Sequence, residues 1–195
     1  MYRFYLAAID MLPGALLLAP VFLTLNKAYF HNVRKSILYY LFSCYLSVVY
    51  VLVGLPNVTY IRPELNLNLI PIVGLIDDWK NSILNILLFV PLGSALPILW
   101  NSFKSARNTI GFCFASSLVI EILQTLTYRA TDVNDLITNT LGTCLGFLCA
   151  KSLLRNLKMT GSDKTSEVVI VFSIVLLVMF FIYPFASSVL WDFIL

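Results

Sequence analysis

The chain has 195 residues, a formal net charge of +3 and 59% hydrophobic residues. Its mean hydropathy of +0.88 exceeds that of an ordinary soluble domain, so the composition indicates a membrane protein. The small positive charge argues against a nucleic-acid partner. One histidine and four cysteines without a CxxC pair argue against a zinc site.

Six apolar segments approach the ~20 residues that a helix needs to cross a ~30 Å hydrocarbon core. They are residues 4–25, 36–55, 82–100, 109–128, 135–154 and 168–190. A membrane span must satisfy its own backbone hydrogen bonds, so the sequence predicts an all-α, multi-pass transmembrane helix bundle, in a single membrane domain over 1–195. We expect the first span to be a retained helix, because Asp10 interrupts its apolar run. Prolines are expected to kink or break spans at positions 13, 20, 91, 97 and 184.

Two connections differ in character. Residues 65–76 read LNLNLIPIVGLI, which is apolar but too short to span. We expect a segment lying in the outer membrane interface, although a re-entrant piece or a strand-like patch would also fit. Residues 159–167, MTGSDKTSE, are expected to form an ordinary polar loop.

The basic residues indicate an orientation. Nine Lys and Arg residues fall in the first, third and fifth connections, and four fall on the opposite side together with most of the acids. The positive-inside rule then places the nine in the cytoplasm and both termini outside the cell membrane.

Polar residues recur at helical spacing where the fourth span ends and the fifth begins. Those of the fourth span are Ser117, Glu121, Gln124 and Tyr128. Those of the fifth span begin with Asp135 and Asn139 and continue as Gly142 and Gly146. Each set occupies one helix face, and antiparallel helices with a short connection are normally neighbours. We therefore expect the two faces to meet.

Depth follows from the rise of a helix. At ~1.5 Å per residue, a helix ending near Tyr128 would place Glu121 ~10–11 Å below its outer end. Asn85 and Asn139 would lie ~6–8 Å below it, with Asp10 at a similar depth. An ionisable group there is costly if it faces lipid, so Glu121 must be paired, protonated or hydrated. The sequence thus predicts an outward-facing polar pocket within the membrane.

The candidate binding residues share a polar side chain near this predicted pocket. They are Asn85, Glu121, Gln124, Arg129, Asp132, Asp135 and Asn139. Arg129, Asp132 and Asp135 would form its rim. The two glycines form a GxxxG pattern that permits close helix approach, which leaves a homodimer open.

Several short segments, taken in order, resemble the VanZ-like family of membrane proteins. They read NLIPI at 68–72, NILLFVPLG at 85–93, EILQ at 121–124 and RATDVNDLITNTLGTCLG at 129–146. Ile72 stands where the family usually has an aromatic residue. The resemblance implies a core over 68–146, comprising the third to fifth spans. It also implies a multi-pass protein of the bacterial cell envelope whose namesake is associated with teicoplanin resistance.

Four functions fit these observations. The first is binding of a lipid-linked cell-wall precursor or a lipoglycopeptide, with resistance as the outcome. The second is an enzyme acting on a lipid headgroup, with Glu121 as acid or base and Asp132 and Asp135 as further catalytic candidates; these carboxylates could also hold Mg²⁺. The third is a proton-coupled carrier using Glu121, and the fourth is a structural role.

Overall fold

The computed structural model describes residues 2–63, 67–68, 70–72, 78–127, 129, 131–157 and 161–194. For residues 2–11, 67, 156–157 and 193–194 the description is of the backbone alone. The helices are α1 (Tyr2–Leu25), α2 (Val33–Leu52), α3 (Trp79–Leu99), α4 (Ala106–Gln124), α5 (Val133–Leu157), α6 (Thr165–Leu177) and α7 (Tyr183–Ile194). Two-residue strands β1 (Leu67–Asn68) and β2 (Thr131–Asp132) pair in parallel.

Irregular helical turns join or extend some of these helices. A π-helical segment, Asn26–Phe30, continues α1, and a second one, Val178–Ile182, joins α6 to α7. A 3₁₀ turn, Asn101–Phe103, follows α3.

Six helical stretches within the described residues are long and apolar enough to cross a membrane. They are Leu12–Phe30, Val33–Leu52, Trp79–Leu99, Ala106–Gln124, Val133–Arg155 and Thr165–Asp192. Large apolar side chains on them are exposed, as expected for lipid-facing surfaces; examples are Leu16, Leu23, Leu148 and Val169. The predicted all-α, multi-pass architecture of about six spans is confirmed.

The chain divides into two compact units. Unit 1 comprises Met1–Ile61 and Ser166–Leu195, and unit 2 comprises Arg62–Thr165. The predicted core of residues 68–146 lies within unit 2.

In unit 1, a buried ion pair joins α2 to α6. Lys35 Nζ lies 2.6 Å from Glu167 Oε1, and the Tyr39 hydroxyl donates to Glu167 Oε2 at 2.6 Å. Glu167 is only 1% exposed. The expectation of a polar loop over 159–167 is therefore wrong at its end, because α6 begins at Thr165 and buries this glutamate in its first turn.

Proline does not have the same effect at every position in these helices. Pro13 and Pro20 lie inside a continuous α1, and Pro91 and Pro97 inside a continuous α3, so none of these four breaks its helix. Pro184 differs, because it follows a π-helical segment. A proline at 184 has no N–H for the carbonyl of Phe180, four residues earlier. That carbonyl instead accepts the backbone N–H of Val58 at 3.1 Å, which ties the segment after α2 to the sixth span.

In unit 2, α3 and α5 form the most extensive helix contact of the described structure. Glycines make this contact possible. A Cβ on Gly142 or Gly146 would overlap the carbonyl oxygen of Ile86 or Val90, and one on Gly93 would lie 2.8 Å from the Cα of Thr143. The GxxxG pattern is thus occupied by packing within the chain and offers no evidence for a homodimer.

The other end of unit 2 is closed by loop contacts. The Asn101 side chain exchanges hydrogen bonds with the backbone of Gly161, donating at 2.9 Å and accepting at 3.0 Å. Ser162 N donates to Leu99 O at 2.8 Å and Asn101 N donates to Ser162 O at 2.9 Å. The segment after α5 is thereby held against the end of α3.

Candidate functional site

A set of polar side chains in unit 2, called the polar cluster, forms the candidate site. Its members are Asn85, Ser117, Glu121, Asp132, Asn134, Asp135 and Asn139. They come from α3, the last two turns of α4, β2 and the first two turns of α5. Glu121, Asn134 and Asn139 are 4%, 5% and 3% exposed, so much of the cluster is buried.

The β1–β2 pair holds the chain between α4 and α5. Leu67 is opposite Thr131 and Asn68 opposite Asp132. The Asn68 side chain donates to Asp132 Oδ2 at 3.0 Å, while the backbone N–H of Asn134 donates to Asp132 Oδ1 at 2.8 Å. The Asp132 carboxylate thus joins β1 to the start of α5. Of the three possibilities for 65–76, a strand-like segment describes Leu67–Asn68; much of the rest lies outside the described residues.

Asn134 holds an unusual backbone conformation at Ile72. Its Oδ1 accepts the N–H of Ile72 at 2.7 Å. Ile72 has φ of 72°, a left-handed conformation that is costly for a β-branched residue. Strained backbone of this kind persists only where its surroundings hold it, and it concentrates at functional sites.

Glu121 occupies the last turn of α4, facing β2. Its Oε2 accepts the backbone N–H of Asp132 at 2.9 Å, and its backbone carbonyl accepts the Thr131 hydroxyl at 3.0 Å. Its Oε1 has no hydrogen-bond partner among the described residues. Asp132, Asp135 and Arg129 are close enough to act on this carboxyl electrostatically.

Asn139 lies one turn further along α5 than Asp135. Its Nδ2 donates to Ser117 Oγ at 2.8 Å, which joins α5 to the face of α4 that carries Glu121. Its Oδ1 is buried and has no partner in the described structure. The predicted meeting of the two polar faces is therefore observed at this pair.

Asp135 and Asn85 link the cluster to α3. The Asn85 side chain lies close enough to the Asp135 carboxyl to act on it, and Asp132, Arg129 and Asp78 interact with this carboxyl electrostatically. Asp78 in turn accepts the Asn81 side chain at 2.6 Å. The candidate residues of three helices are thus brought to one end of unit 2.

The remaining candidates lie around this centre. Gln124 is 3% exposed at the end of α4, whereas Arg129 is exposed in the following loop. Tyr128 and the side chain of Asp10 lie outside the described residues.

The position of Glu121 along its helix differs from the prediction. Because α4 ends at Gln124, Glu121 lies only about 4–5 Å from the helix end instead of ~10–11 Å. The three residues after the helix form hydrogen-bonded turns, with N–H groups that reach back three residues. The sequence predicts a later helix end because the residues after Gln124 continue the apolar pattern of the helix.

Comparison with known proteins identifies the family. The VanZ/LLP1 family model matches residues 36–155, more than half of the chain. The chain belongs to the VanZ/LLP1 family. It is also 34% identical to Protein VanZ of Enterococcus faecium over 121 residues, which are 60% of this chain and 71% of that protein. No solved structure matches it.

Several polar residues in this VanZ-family chain were not among the sequence candidates. Asn68, Thr131 and Asn134 hold the polar cluster together through the hydrogen bonds given above. Asn68 and Asn134 lie within the segments that resemble the family, so that resemblance could have selected them. Thr131 also lies within one of these segments, but its role depends on the pairing of β1 with β2.

Two further features bear on chemistry in this VanZ-family protein. The described residues contain no group of three or more His, Cys, Asp or Glu side chains that could hold a metal ion, so the geometry does not support the suggested Mg²⁺ site. A cavity of about 210 Å³ lies in unit 1. It is lined by Tyr50, Val51, Gly54, Leu55, Asn57, Tyr60 and Tyr183, and none of these residues belongs to the polar cluster.

Proposed function

We propose that this VanZ-family protein lowers bacterial susceptibility to teicoplanin-type glycopeptides. The polar cluster, at the outer face of the membrane, would form a pocket for the headgroup of a lipid-linked cell-wall precursor or a lipoglycopeptide. Membership of the VanZ/LLP1 family supports a role in resistance, because the namesake of the family is associated with teicoplanin resistance.

One observation carries the proposal for the site. Glu121 is a buried carboxylate with one oxygen hydrogen-bonded to the backbone and the other without a partner among the described residues. An ionisable side chain within a membrane protein is costly, and a carboxyl oxygen that no protein donor satisfies is available to a ligand.

The strained backbone at Ile72 supports the same location. The Asn134 side chain holds Ile72 in its left-handed conformation. Asn134 lies two residues after Asp132, whose backbone N–H donates to Glu121. The segment before α3 and the acid of α4 are thus fixed by one short loop. A ligand entering beside Glu121 would meet a preorganised surface.

The test is antibiotic susceptibility of a Gram-positive host that expresses the full chain. Wild type, Glu121→Gln, Asp135→Asn and empty vector are compared at matched membrane levels. We expect protection against teicoplanin, more than against vancomycin, and loss of this protection in both variants. Glu167→Gln is the matched control, because it neutralises a second buried glutamate in unit 1.

The outcomes separate the alternatives. Protection by wild type and by Glu167→Gln alone would support the polar cluster as the functional site. Full protection by Glu121→Gln would contradict it. Absence of protection by the wild type would contradict the resistance function, and headgroup turnover by purified protein would then favour the enzyme that the sequence left open.

A further inference from the structure

We propose that the polar cluster recognises its ligand through the ligand's own N–H or O–H donors, with a protonated amine preferred over a phosphate. This inference rests on the proposed function and specifies the chemistry of the group that the cluster binds. It rests on two observations. Some acceptors of the cluster already have partners within the protein, and the acceptors without such partners are surrounded mainly by acids.

The acceptors of the connecting loop are occupied. Both oxygens of Asp132 accept hydrogen bonds, from Asn68 and from the Asn134 backbone, and Asn134 Oδ1 accepts from Ile72. Asp132 and Asn134 are therefore positioning residues, which hold the loop and leave no oxygen of Asp132 without a partner.

Two acceptors on buried side chains beside this loop are not occupied by the described residues. One is Glu121 Oε1, on a side chain that is 4% exposed. The other is Asn139 Oδ1, on a side chain that is 3% exposed and directed at α4 by its bond to Ser117. Ser117 precedes Glu121 by one helical turn, so Glu121 and the partner of Asn139 lie on the same face of α4. A ligand donor entering beside this face would satisfy Asn139 Oδ1, which is otherwise buried without a partner, and would also meet Glu121 Oε1.

The surrounding charge favours the same class of ligand. The carboxyls of Asp132 and Asp135 act on Glu121, and Asp78 acts on Asp135. Arg129 is the one basic residue that acts on either of these two carboxyls among the described residues, and its side chain is exposed in the loop. Acids outnumber bases around these two acceptors, so the surroundings favour a cation over a phosphate.

A series of lipids that differ only in donor number tests the proposal. Phosphatidylethanolamine, its N-methyl and N,N-dimethyl forms and phosphatidylcholine share one phosphate and one positive charge, and each step removes one N–H. Native mass spectrometry of the purified full chain in detergent measures how strongly each lipid is retained. We expect retention to fall along the series and phosphatidic acid, an anionic phosphate without an amine, to be retained least.

Variants assign the effect to the cluster. Glu121→Gln is expected to weaken retention of phosphatidylethanolamine about tenfold or more, because it removes a charged acceptor. Glu167→Gln should leave it unchanged. The lipid series is measured on the wild-type protein. The donor preference can therefore be tested even if the Glu121→Gln protein misfolds.

The results that would overturn the inference are specific. They are equal retention of phosphatidylethanolamine and phosphatidylcholine, preference for phosphatidic acid, or full retention by Glu121→Gln. If these occur while Glu121→Gln still abolishes teicoplanin protection, the proposed function stands and the donor inference fails. Donor-dependent retention without protection would support the inference and contradict resistance.

A soluble competitor identifies the source of the amine. Glucosamine carries an ammonium and hydroxyls but no acyl chain. If it displaces phosphatidylethanolamine, the donor chemistry is supported with an aqueous ligand. If donor-dependent retention persists against it, the same chemistry is supported with a membrane lipid.

Discussion

Two buried glutamates in this protein show how burial and hydrogen bonding together distinguish structure from function. Glu167 has a partner on each oxygen, the Lys35 ammonium and the Tyr39 hydroxyl. Glu121 has a partner on one oxygen alone within the described structure. Burial is similar, at 1% and 4% exposed, so the satisfaction of each oxygen is the informative difference. The fully satisfied acid joins α2 to α6, and under the proposed function the half-satisfied acid binds the ligand.

Removing one partner of the Glu167 pair should be costly. Lys35→Met would remove the ammonium partner of a buried carboxylate, and breaking a buried ion pair typically costs about 3–5 kcal/mol. We expect a clear drop in the melting temperature of the detergent-purified protein. The double variant Lys35→Met/Glu167→Gln should recover most of that loss, since no charge then remains buried. Equal melting temperatures of the single and double variants would refute this account.

At the scale of elements, unit 2 depends on the close approach of α3 and α5. In lipid there is no hydrophobic gain from helix association, so close packing of small residues carries the contact. The backbones meet at Gly93, Gly142 and Gly146, where no side chain fits. This contact also positions Asp135 on α5 beside Asn85 on α3, which connects packing to the polar cluster.

Adding a methyl group at this contact should destabilise the protein. In Gly142→Ala the new Cβ would meet the Ile86 carbonyl oxygen, a backbone atom that cannot turn away. Overpacking costs about 1–3 kcal/mol, so the melting temperature should fall. Gly111→Ala on α4 is the control, because nothing lies within 4 Å of its Cβ. Helix propensity alone should stabilise that control by up to ~1 kcal/mol. A Gly142→Ala protein as stable as the control would contradict the packing account.

At the scale of the whole molecule, the orientation in the membrane is a prediction from charge. The nine Lys and Arg residues of the odd-numbered connections favour the cytoplasm, so we expect both termini outside. The same orientation would direct the end of unit 2 that carries the polar cluster toward the outer face. The proposed ligand requires this orientation, because cell-wall precursors and glycopeptides meet at the outer face of the membrane.

Cysteine labelling tests the orientation. Single cysteines at Thr59, Ser105 and Asp192, all exposed, are introduced after the four native cysteines are replaced by alanine. An impermeant maleimide should label positions 59 and 192 in intact cells. Position 105 should be labelled only after permeabilisation. The opposite pattern would place the polar cluster at the cytoplasmic face and would contradict the proposed ligand.

Much of the architecture could be predicted because it depends on local composition. A span requires ~20 apolar residues whatever its neighbours are, so all six spans were visible as runs. The polar face of α4 and that of α5 were visible for a similar reason, since helical spacing depends only on the residues of one helix. Glu121, Asp135 and Asn139 were therefore selected from spacing alone.

The roles of these side chains were decided by contacts between segments distant in the sequence. The pairing of Asn68 with Asp132, the burial of Glu167 against Lys35 and the capture of the Phe180 carbonyl by Val58 each join residues more than sixty positions apart. Composition and periodicity describe one segment at a time and hold no information on such partners. The sequence by itself determined that this is a six-span helical protein with acids on two helix faces. Only the tertiary structure decided which acid has a partner on both oxygens and which on one, because that depends on which donors the fold brings to each oxygen.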